Sequence, residues 1–480
     1  MSFAAAESLA RRMARPQRHR LLQGYPAVPL MRAGSAPDHR RRRDGALEGP
    51  ATREPPFIAI DPTRTLIVGV IPHTLCKPKV YGCGFCTFGQ NPYRRSKMKR
   101  EMVALPQHIE RALHHDGHDF RGREVAALYF GGGTANLTPI GDLEAAFEQL
   151  AASLDLRKAE LTLEGVPSQF LSRFSAALRW LARLPVRRAR LSMGVQTFDP
   201  AQLRRMGREH FGDAQLVARV VREARKRGIG TSADLLFNLP NQSRAQMLAD
   251  LEQAVAIGFD QICIYHLVLY EGLGTNWSRD PELLAALPGV DEALANWLAL
   301  REALLAAGYV QTTLTNFERA DVNADDRRFV YEELSFSPAR VDGLGIGPLS
   351  ISTFVELERR RAVKLYCGLE GGDLYFPHEP VDVELLYLTR SLPRMRWSAA
   401  EYRRLFGGEL EAAHGEVIAA IVDAGLAERG DDALIVTPRG MFFADSIAGL
   451  LAERRVEQLR ADRQAVGMST RHFIAEHHMG

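Results

Sequence analysis

From about residue 64 onward the chain alternates short β-branched runs with longer amphipathic stretches. TLIVGVI (65–71), VAALYF (125–130), ELTLEG (160–165), RARLSMGV (188–195), TSADLLF (231–237), QICIYHLVL (261–269) and VQTTLT (310–315) each predict a strand. The intervals between them carry helical spacing. After Asp213, the residues Leu216, Val217, Val220, Val221 and Ala224 share one face, and the pattern stops at Gly228. From Asp291 onward, Leu294, Trp297, Leu298 and Leu305 are expected inward, with a stop at Gly308. Repeated strand–helix units predict a parallel sheet, which right-handed crossovers curl into a barrel or open part-barrel. The fold class is therefore α/β, and in such folds the chemistry gathers at the C-terminal ends of the strands.

The two ends read differently. Residues 376–480 predict helices over VDVELLYLTRSL, SAAEYRRLFG and EVIAAIVDAGL, then a short hairpin, RGDDALIVTPRG, and a further helix, which together resemble a winged helix. Acidic residues run through every one of these helices, so a cap on the barrel is favoured over a DNA-binding module. Residues 1–55 are Arg-rich, with an Arg40–Arg43 run, and predict a largely disordered extension or an early start, with Met13 or Met31 as alternative beginnings. Residues 1–18 present no evident apolar face, so their removal is expected to leave folding and turnover intact. LLQGYPAVPLM (21–31) is the exception, apolar enough to pack onto the neighbouring domain. Residues 56–318 are assigned to the part-barrel, and residues 319–375, with GLGIGPLS, to a linker.

Apolar residues make up 46% of the chain and charged residues 25%, and no apolar run approaches a membrane span. The net charge is +3, of which residues 1–54 contribute +6 (eleven Arg against five Asp or Glu), leaving −3 for the remainder. No nucleic-acid partner is expected of so acidic a body. Only seven of the 61 basic residues are Lys, a bias attributed to genome composition. Five cysteines, an odd number, and no opening signal peptide argue against a disulfide framework and for a cytosolic protein.

Three of those cysteines fall within eleven residues, Cys76-x6-Cys83-x2-Cys86. Thiolates are soft ligands for iron–sulfur clusters, zinc or copper(I), and three on one loop can hold three corners of a cubic cluster. The fourth iron is then open to a small molecule such as S-adenosylmethionine. The competing reading is a structural Cys3His zinc site completed by His73. Cys263 and Cys367 read as packing residues. The loop follows the first strand, where the strand-end rule puts chemistry. Later strands end in Gly131–Thr134, Glu164 and Gln196, the fifth runs through Asp234, and Arg208 lies just past Gln196. Acid, amide and guanidinium suit ribose hydroxyls, an ammonium and a carboxylate.

YFGGGTANL (129–137), ELTLEGVPSQF (160–170), RLSMGVQTFDPAQLRRMGREH (190–210), ADLLFNLPNQS (233–243) and GLGIGPLS (343–350) resemble the successive motifs of the radical S-adenosylmethionine superfamily, in the branch of oxygen-independent coproporphyrinogen III oxidases. That branch also holds heme chaperones, heme-degrading enzymes and class C radical methyltransferases. The resemblance covers roughly residues 62–360 and extends through VTPRGMFFADSIAGLL (436–451). It implies a (β/α)6 part-barrel with a C-terminal cap that helps shape the substrate pocket. It implies that Cys76, Cys83 and Cys86 hold a [4Fe–4S] cluster, that Phe85 lies by the adenine, and that Gly132, Gly133 and Thr134 take the methionine amino end. Glu164, Gln196, Arg208 and Asp234 would fix the carboxylate and ribose. It further implies an electron donor such as flavodoxin or ferredoxin, and a 5′-deoxyadenosyl radical acting on a tetrapyrrole or other large conjugated substrate. A C-methyltransferase and a heme chaperone without turnover are the alternatives.

The chain departs from the family pattern at three places. The first cysteine interval is six residues where the family has three, Val68 and Val70 stand where the family has Tyr and His, and Phe88 replaces a fourth cysteine. These departures predict that coproporphyrinogen III decarboxylation is not its reaction.

Overall fold

The computed structural model describes residues 5–17, 25, 32–33, 61–88, 91–114, 120–368 and 374–465. Six parallel strands, β1 (Thr65–Val70), β2 (Val125–Phe130), β3 (Glu160–Gly165), β4 (Arg188–Gln196), β5 (Gly230–Phe237) and β6 (Gln261–His266), stand side by side in chain order. They coincide with six of the expected runs to within a residue or two, except that β6 stops at His266. Their side chains divide by period two. Leu128, Leu161, Leu163, Leu191, Met193, Ala233, Leu235, Ile262 and Ile264 join the main apolar core under the helices. The alternate positions, Tyr129, Thr162, Glu164, Arg190, Ser192, Ser232, Asp234, Gln261 and Cys263, are polar or titratable. Parallel strands buried in apolar surroundings on both faces read as continuous apolar runs. This alternation marks a sheet with one polar, concave face.

The helices form where caps and apolar stripes coincide. In the helix Ala214–Arg225, Asp213 accepts the Leu216 N–H, while Val217, Val220, Val221 and Ala224 are buried. Ser243 and Gln246 close a capping box on Arg244–Ile257, which ends at Gly258 in the left-handed region. In Val290–Ala306, Leu294 and Trp297 point inward as expected, but Leu305 is 37% exposed and Leu300 and Leu304 take the core positions.

The expected linker is sheet. Of the run 310–315 only its first two residues are strand, in β7 (Tyr309–Gln311); residues 312–315 turn the chain into the antiparallel β8 (Asn316–Arg319), which pairs with β6. Beyond it, β9 (Val341–Ile346) pairs in parallel with β1, and β10 (Ile351–Glu356), β11 (Arg361–Tyr366) and β12 (Leu374–His378) continue antiparallel from there. The region assigned to residues 319–375 thus extends one sheet of thirteen strands. The C-terminal region has the expected form, with helices Pro380–Ser391, Ala399–Phe406 and Leu410–Asp423, three short antiparallel strands and the long helix Ala444–Ala465. It packs on the end of the barrel, where Trp297 donates to the Pro438 carbonyl at 3.1 Å and Phe442 lies 5.4 Å from His266.

Part of the N-terminal extension is corrected by the structure. Ala5–Met13 is a helix with Ala5 and Leu9 buried, and its Ser8 and Arg12 bind Glu453 of the long C-terminal helix at 2.6 Å and 3.1 Å. Gln17 accepts from Ser446, and its carbonyl accepts from His266 Nδ1 at 3.0 Å. Within LLQGYPAVPLM, Tyr25 is buried and donates to Asp382 at 2.7 Å. The Arg40–Arg43 run lies outside the described residues.

Buried charges tie these parts together. Asp342 on β9 is buried between Arg64 (2.9 Å) and Arg123 (3.1 Å), joining the strand ends of β1, β2 and β9. Asp342→Ala would strand two largely desolvated guanidinium groups and is expected to cost about 3–5 kcal/mol, read as a lowered urea midpoint. Removal of residues 1–17 is expected to destabilise the fold by about 2 kcal/mol or more, since burying one leucine side chain contributes about 1.5–3 kcal/mol; a thermal melt of the truncated chain against the full one checks this.

Candidate functional site

The cysteine loop leaves the C-terminal end of β1. Leu75–Cys76 pairs with Asn91–Pro92, and a 3-10 turn over Tyr81–Gly84 comes next, with Gly82 and Cys83 both in the left-handed region. A cysteine at φ 52° is held there against its own preference, a form of local strain that concentrates at functional sites. Cys76 and Cys83 are buried and Cys86 is half-buried. Each buried sulfur has a donor: the Thr134 hydroxyl donates to Cys76 Sγ at 3.1 Å, and Arg208 Nη1 donates to Cys83 Sγ at 3.3 Å. Burial pushes the Cys76 thiol up to about 12, opposed by the Thr134 bond and the Arg208 charge. Cluster assembly must therefore displace its proton.

Three thiols on one loop, two of them with donors to sulfur, are a donor set that suits an iron–sulfur cluster. Among the described residues no three His, Cys, Asp or Glu side chains converge on one ion position. His73 is buried, its Nδ1 accepts from the Leu75 N–H at 3.1 Å, and desolvation lowers it to about 4. Thiols that each hold a separate iron need no such convergence, and hydrogen bonds to sulfur are a recognised means of tuning iron–sulfur centres.

Of the other expected residues, Gly133, Thr134 and Arg208 contact this loop, while Glu164 and Asp234 stand on the polar face of the sheet. Gly133 lies against the loop, since a β-carbon there would stand 2.8 Å from the Thr74 carbonyl carbon, and the Thr134 N–H donates to the Leu75 carbonyl at 3.1 Å. Gly132, at φ 108°, packs on Ile71. The glycine turn thus seats the cysteine loop, a contact its resemblance to a methionine-binding motif does not by itself specify. Gln196 ends β4 at φ 73°, after a register shift past Gly194, and its amide lies with the Arg208 guanidinium over Gly194. Arg208 is buried, donates to the Gly194 carbonyl, and keeps Nε without a partner. Glu164 accepts from the Tyr129 hydroxyl at 3.3 Å, and Asp234 accepts from Ser192 at 3.4 Å, both on the polar face. The Phe85 ring sits 5.6 Å from Trp277.

Sequence reasoning missed several of the neighbours. Trp277 covers Gly84 so closely that a β-carbon there would meet its indole at 2.0 Å. Tyr129 and Tyr331 stack at 4.5 Å beside Glu164, a pair signalled only by the polar alternation of β2. Cys263 is buried beside Asn316, which donates to its sulfur at 3.1 Å, and Cys367 accepts from Arg111 at 3.0 Å while its backbone pairs with Leu349 and Ser350 of GLGIGPLS. His210 contacts the Lys77 carbonyl at 3.0 Å, whereas His472, His477 and His478 lie outside the described residues.

Known proteins match the same features. The model of the family described as the Radical SAM superfamily covers residues 80–254. The heme chaperone HemW of Escherichia coli is 30% identical over 234 residues, 48% of this chain and 58% of that protein. The oxygen-independent coproporphyrinogen III oxidase of Cereibacter sphaeroides is 27% identical over 208 residues, 42% of this chain and 43% of that protein. The matches thus cover less than two thirds of these relatives' own length. Among solved structures, Escherichia coli coproporphyrinogen III oxidase (HemN) superposes with a TM-score of 0.66 at 20% identity, over 82% of this chain and 91% of that one, which establishes the fold. Residues 80–254 thus match a domain of the Radical SAM superfamily, whose members use a [4Fe–4S] cluster and S-adenosylmethionine, and the chain is similar in sequence to HemW-type and HemN-type proteins and shares the fold of HemN.

Proposed function

We propose that this protein is a radical S-adenosylmethionine enzyme acting on a tetrapyrrole or comparably large conjugated substrate. The observation that carries the reading is the cysteine loop itself: three thiols on one loop at the C-terminal end of β1, with Thr134 and Arg208 donating to two of the sulfurs. Cys76, Cys83 and Cys86 would hold the cluster. When bound, the cluster and S-adenosylmethionine supply reductive cleavage of a carbon–sulfur bond to give a 5′-deoxyadenosyl radical. Glu164 and Asp234, acceptors on the polar face, would take ribose hydroxyls. The Gln196 amide and the free Nε of buried Arg208 would take the methionine carboxylate, and Phe85 with Trp277 would wall the adenine. The tetrapyrrole class rests on the relatives' names and not on a contact in this chain.

Val68 and Val70 are buried in the helix-covered core and not on the polar face, so they supply no phenol or imidazole to the site. This supports a reaction other than coproporphyrinogen III decarboxylation. A second reading, a heme chaperone, is favoured by the similarity to HemW. Anaerobic incubation with S-adenosylmethionine and dithionite, read by mass spectrometry, separates them. 5′-Deoxyadenosine supports radical chemistry, and S-adenosylhomocysteine beside it indicates methyl transfer. Stoichiometric heme binding with neither product supports the chaperone.

Replacing Cys76, Cys83 or Cys86 by Ala is expected to abolish the oxygen-sensitive brown chromophore and bound iron, whereas Cys263→Ala and Cys367→Ala retain both; iron analysis after anaerobic reconstitution decides, and stoichiometric zinc would overturn the assignment. Asp234→Ala is expected to leave the cluster intact and weaken S-adenosylmethionine binding roughly ten- to a hundredfold, the equivalent of one charge-assisted hydrogen bond of about 1.5–3 kcal/mol. Arg208→Ala removes a sulfur donor as well, so iron retention and binding should both fall, as equilibrium dialysis and absorption spectra will read.

A further inference from the structure

A strand fixes where a glutamate starts and leaves where its carboxylate ends to other contacts. β3 sets the Cα–Cβ direction of Glu164, and the torsions beyond it must be settled by neighbours. The setting matters, because a group misplaced by about 1 Å costs on the order of a hundredfold in rate.

The neighbour that meets this carboxylate is Tyr129. The two stand on the polar face of adjacent strands, β2 and β3, and the Tyr129 hydroxyl donates to Glu164 Oε2 at 3.3 Å. Gly131, two residues further on, leaves the space that both occupy: a β-carbon there would stand 2.5 Å from Tyr129 Cε1 and 2.7 Å from Glu164 Oε2. Burial, with the Glu164 and Asp234 charges, pushes the Tyr129 phenol well above its usual range, so it stays a donor at neutral pH.

The ring is held in turn. Tyr331 stacks on it at 4.5 Å with 27° between the planes, and Tyr331 belongs to the short helix Tyr331–Ser335, not to a barrel strand. That helix is fastened twice, by the Tyr331 N–H donating to Glu160 Oε1 at 3.4 Å and by Glu332 accepting from Arg190 Nη1 and Nη2 at 3.0 Å and 2.6 Å. Glu160 opens β3 and Glu164 stands near its end. One helix therefore reaches both ends of the strand, directly at Glu160 and through Tyr129 at Glu164. Tyr309 shows the contrasting case: its hydroxyl donates to the Phe259 carbonyl at 2.7 Å, a backbone contact that tightens the fold and meets no side chain.

We infer that Tyr129 is a positioning residue for S-adenosylmethionine, acting through Glu164 and clamped by Tyr331, a role that rests on the site proposed above, in which Glu164 takes a ribose hydroxyl. A phenol bonded to Oε2 orients the carboxylate, and no atom of Tyr129 need touch the ligand. Anaerobically reconstituted holoprotein and S-adenosylmethionine itself provide the test. Tyr129→Phe keeps the ring and its stack and removes the hydroxyl alone. It is expected to retain iron and to bind S-adenosylmethionine about tenfold more weakly by equilibrium dialysis, as loss of one hydrogen bond to a charged group implies. Tyr331→Ala, which releases the ring, should shift affinity in the same direction. In a Glu164→Gln background Tyr129→Phe should weaken binding no further, because the two residues act as one unit. Tyr309→Phe also loses a buried hydroxyl bond, and it should lower the thermal midpoint with affinity unchanged, the pattern of a purely structural role. Equal affinity in Tyr129→Phe and the parent overturns the proposal, and so does an additive loss in the double variant. A parent that binds S-adenosylmethionine yet forms no 5′-deoxyadenosine with dithionite defeats the radical reading instead, and the binding comparison still decides the role of Tyr129. A parent that binds none overturns the site and the role of Tyr129 together.

Discussion

Gly207 has no side chain, and the cysteine loop occupies the space that one would fill. A β-carbon there would stand 2.3 Å from the Val80 amide nitrogen, and the Lys79 N–H donates to the Gly207 carbonyl at 2.9 Å. The next residue, Arg208, then reaches Cys83. On the opposite side the same two-residue device recurs: Gly133 admits the loop backbone and Thr134 binds both the Leu75 carbonyl and the Cys76 sulfur. Each clip couples a close backbone approach, possible only without a side chain, to a donor aimed at a thiol. Removing either contact would free a thiol that burial and backbone strain otherwise hold in place.

A polar face on a parallel sheet sets a second requirement, since a buried polar group without a partner costs free energy, and the Thr162 and Ser232 hydroxyls and Arg190 Nε on this face have none within the described residues. At the base of the barrel Arg190, 1% exposed on its side chain, meets Glu332 at 2.6 Å and Glu160 at 3.5 Å. Glu318 lies in the same network, where burial and the Glu332 charge push its carboxyl up to about 7. Such pairs contribute less to net stability than their geometry suggests, because two desolvations offset the attraction. Here they permit a titratable lining where leucine and valine would give a closed core. The helix bearing Glu332 (Tyr331–Ser335) also brings Tyr331 onto Tyr129, so one element supplies both the partner of Arg190 and a ring stacked on the polar face.

The six parallel strands were legible because each carries an apolar stripe packed under helices, and the cysteines because their spacing is a local property. What escaped depends on contacts far apart in the sequence. The helix Ala5–Met13 has Leu9 and Ala5 as its buried apolar residues among arginines, too few to mark an apolar face, and it is secured by Glu453 at the other end of the chain. The strands β9 to β12 read as a linker because β9 contains three polar or glycine positions in six residues, and its parallel partner, β1, lies more than 270 residues earlier. Trp277 lies after a stretch with no strand or helix periodicity; only the folded loop shows that it covers Gly84.

The long first cysteine interval links the clip to the surface. With three residues between Cys76 and Cys83, as in the pattern the motifs resemble, there would be fewer residues to carry the chain out to Gly207 and back; the six present, KPKVYG, supply the Lys79 amide that meets the Gly207 carbonyl. The same six place Lys77, Lys79 and Tyr81 at the exposed crest of the loop. The match to the superfamily model begins at residue 80, after this segment has passed its first cysteine. An insertion that only lengthened a loop would cost conformational entropy with nothing in return. This one adds a backbone hydrogen bond to the barrel and two cations beside the thiols, so its length changes both how the loop is held and what approaches it.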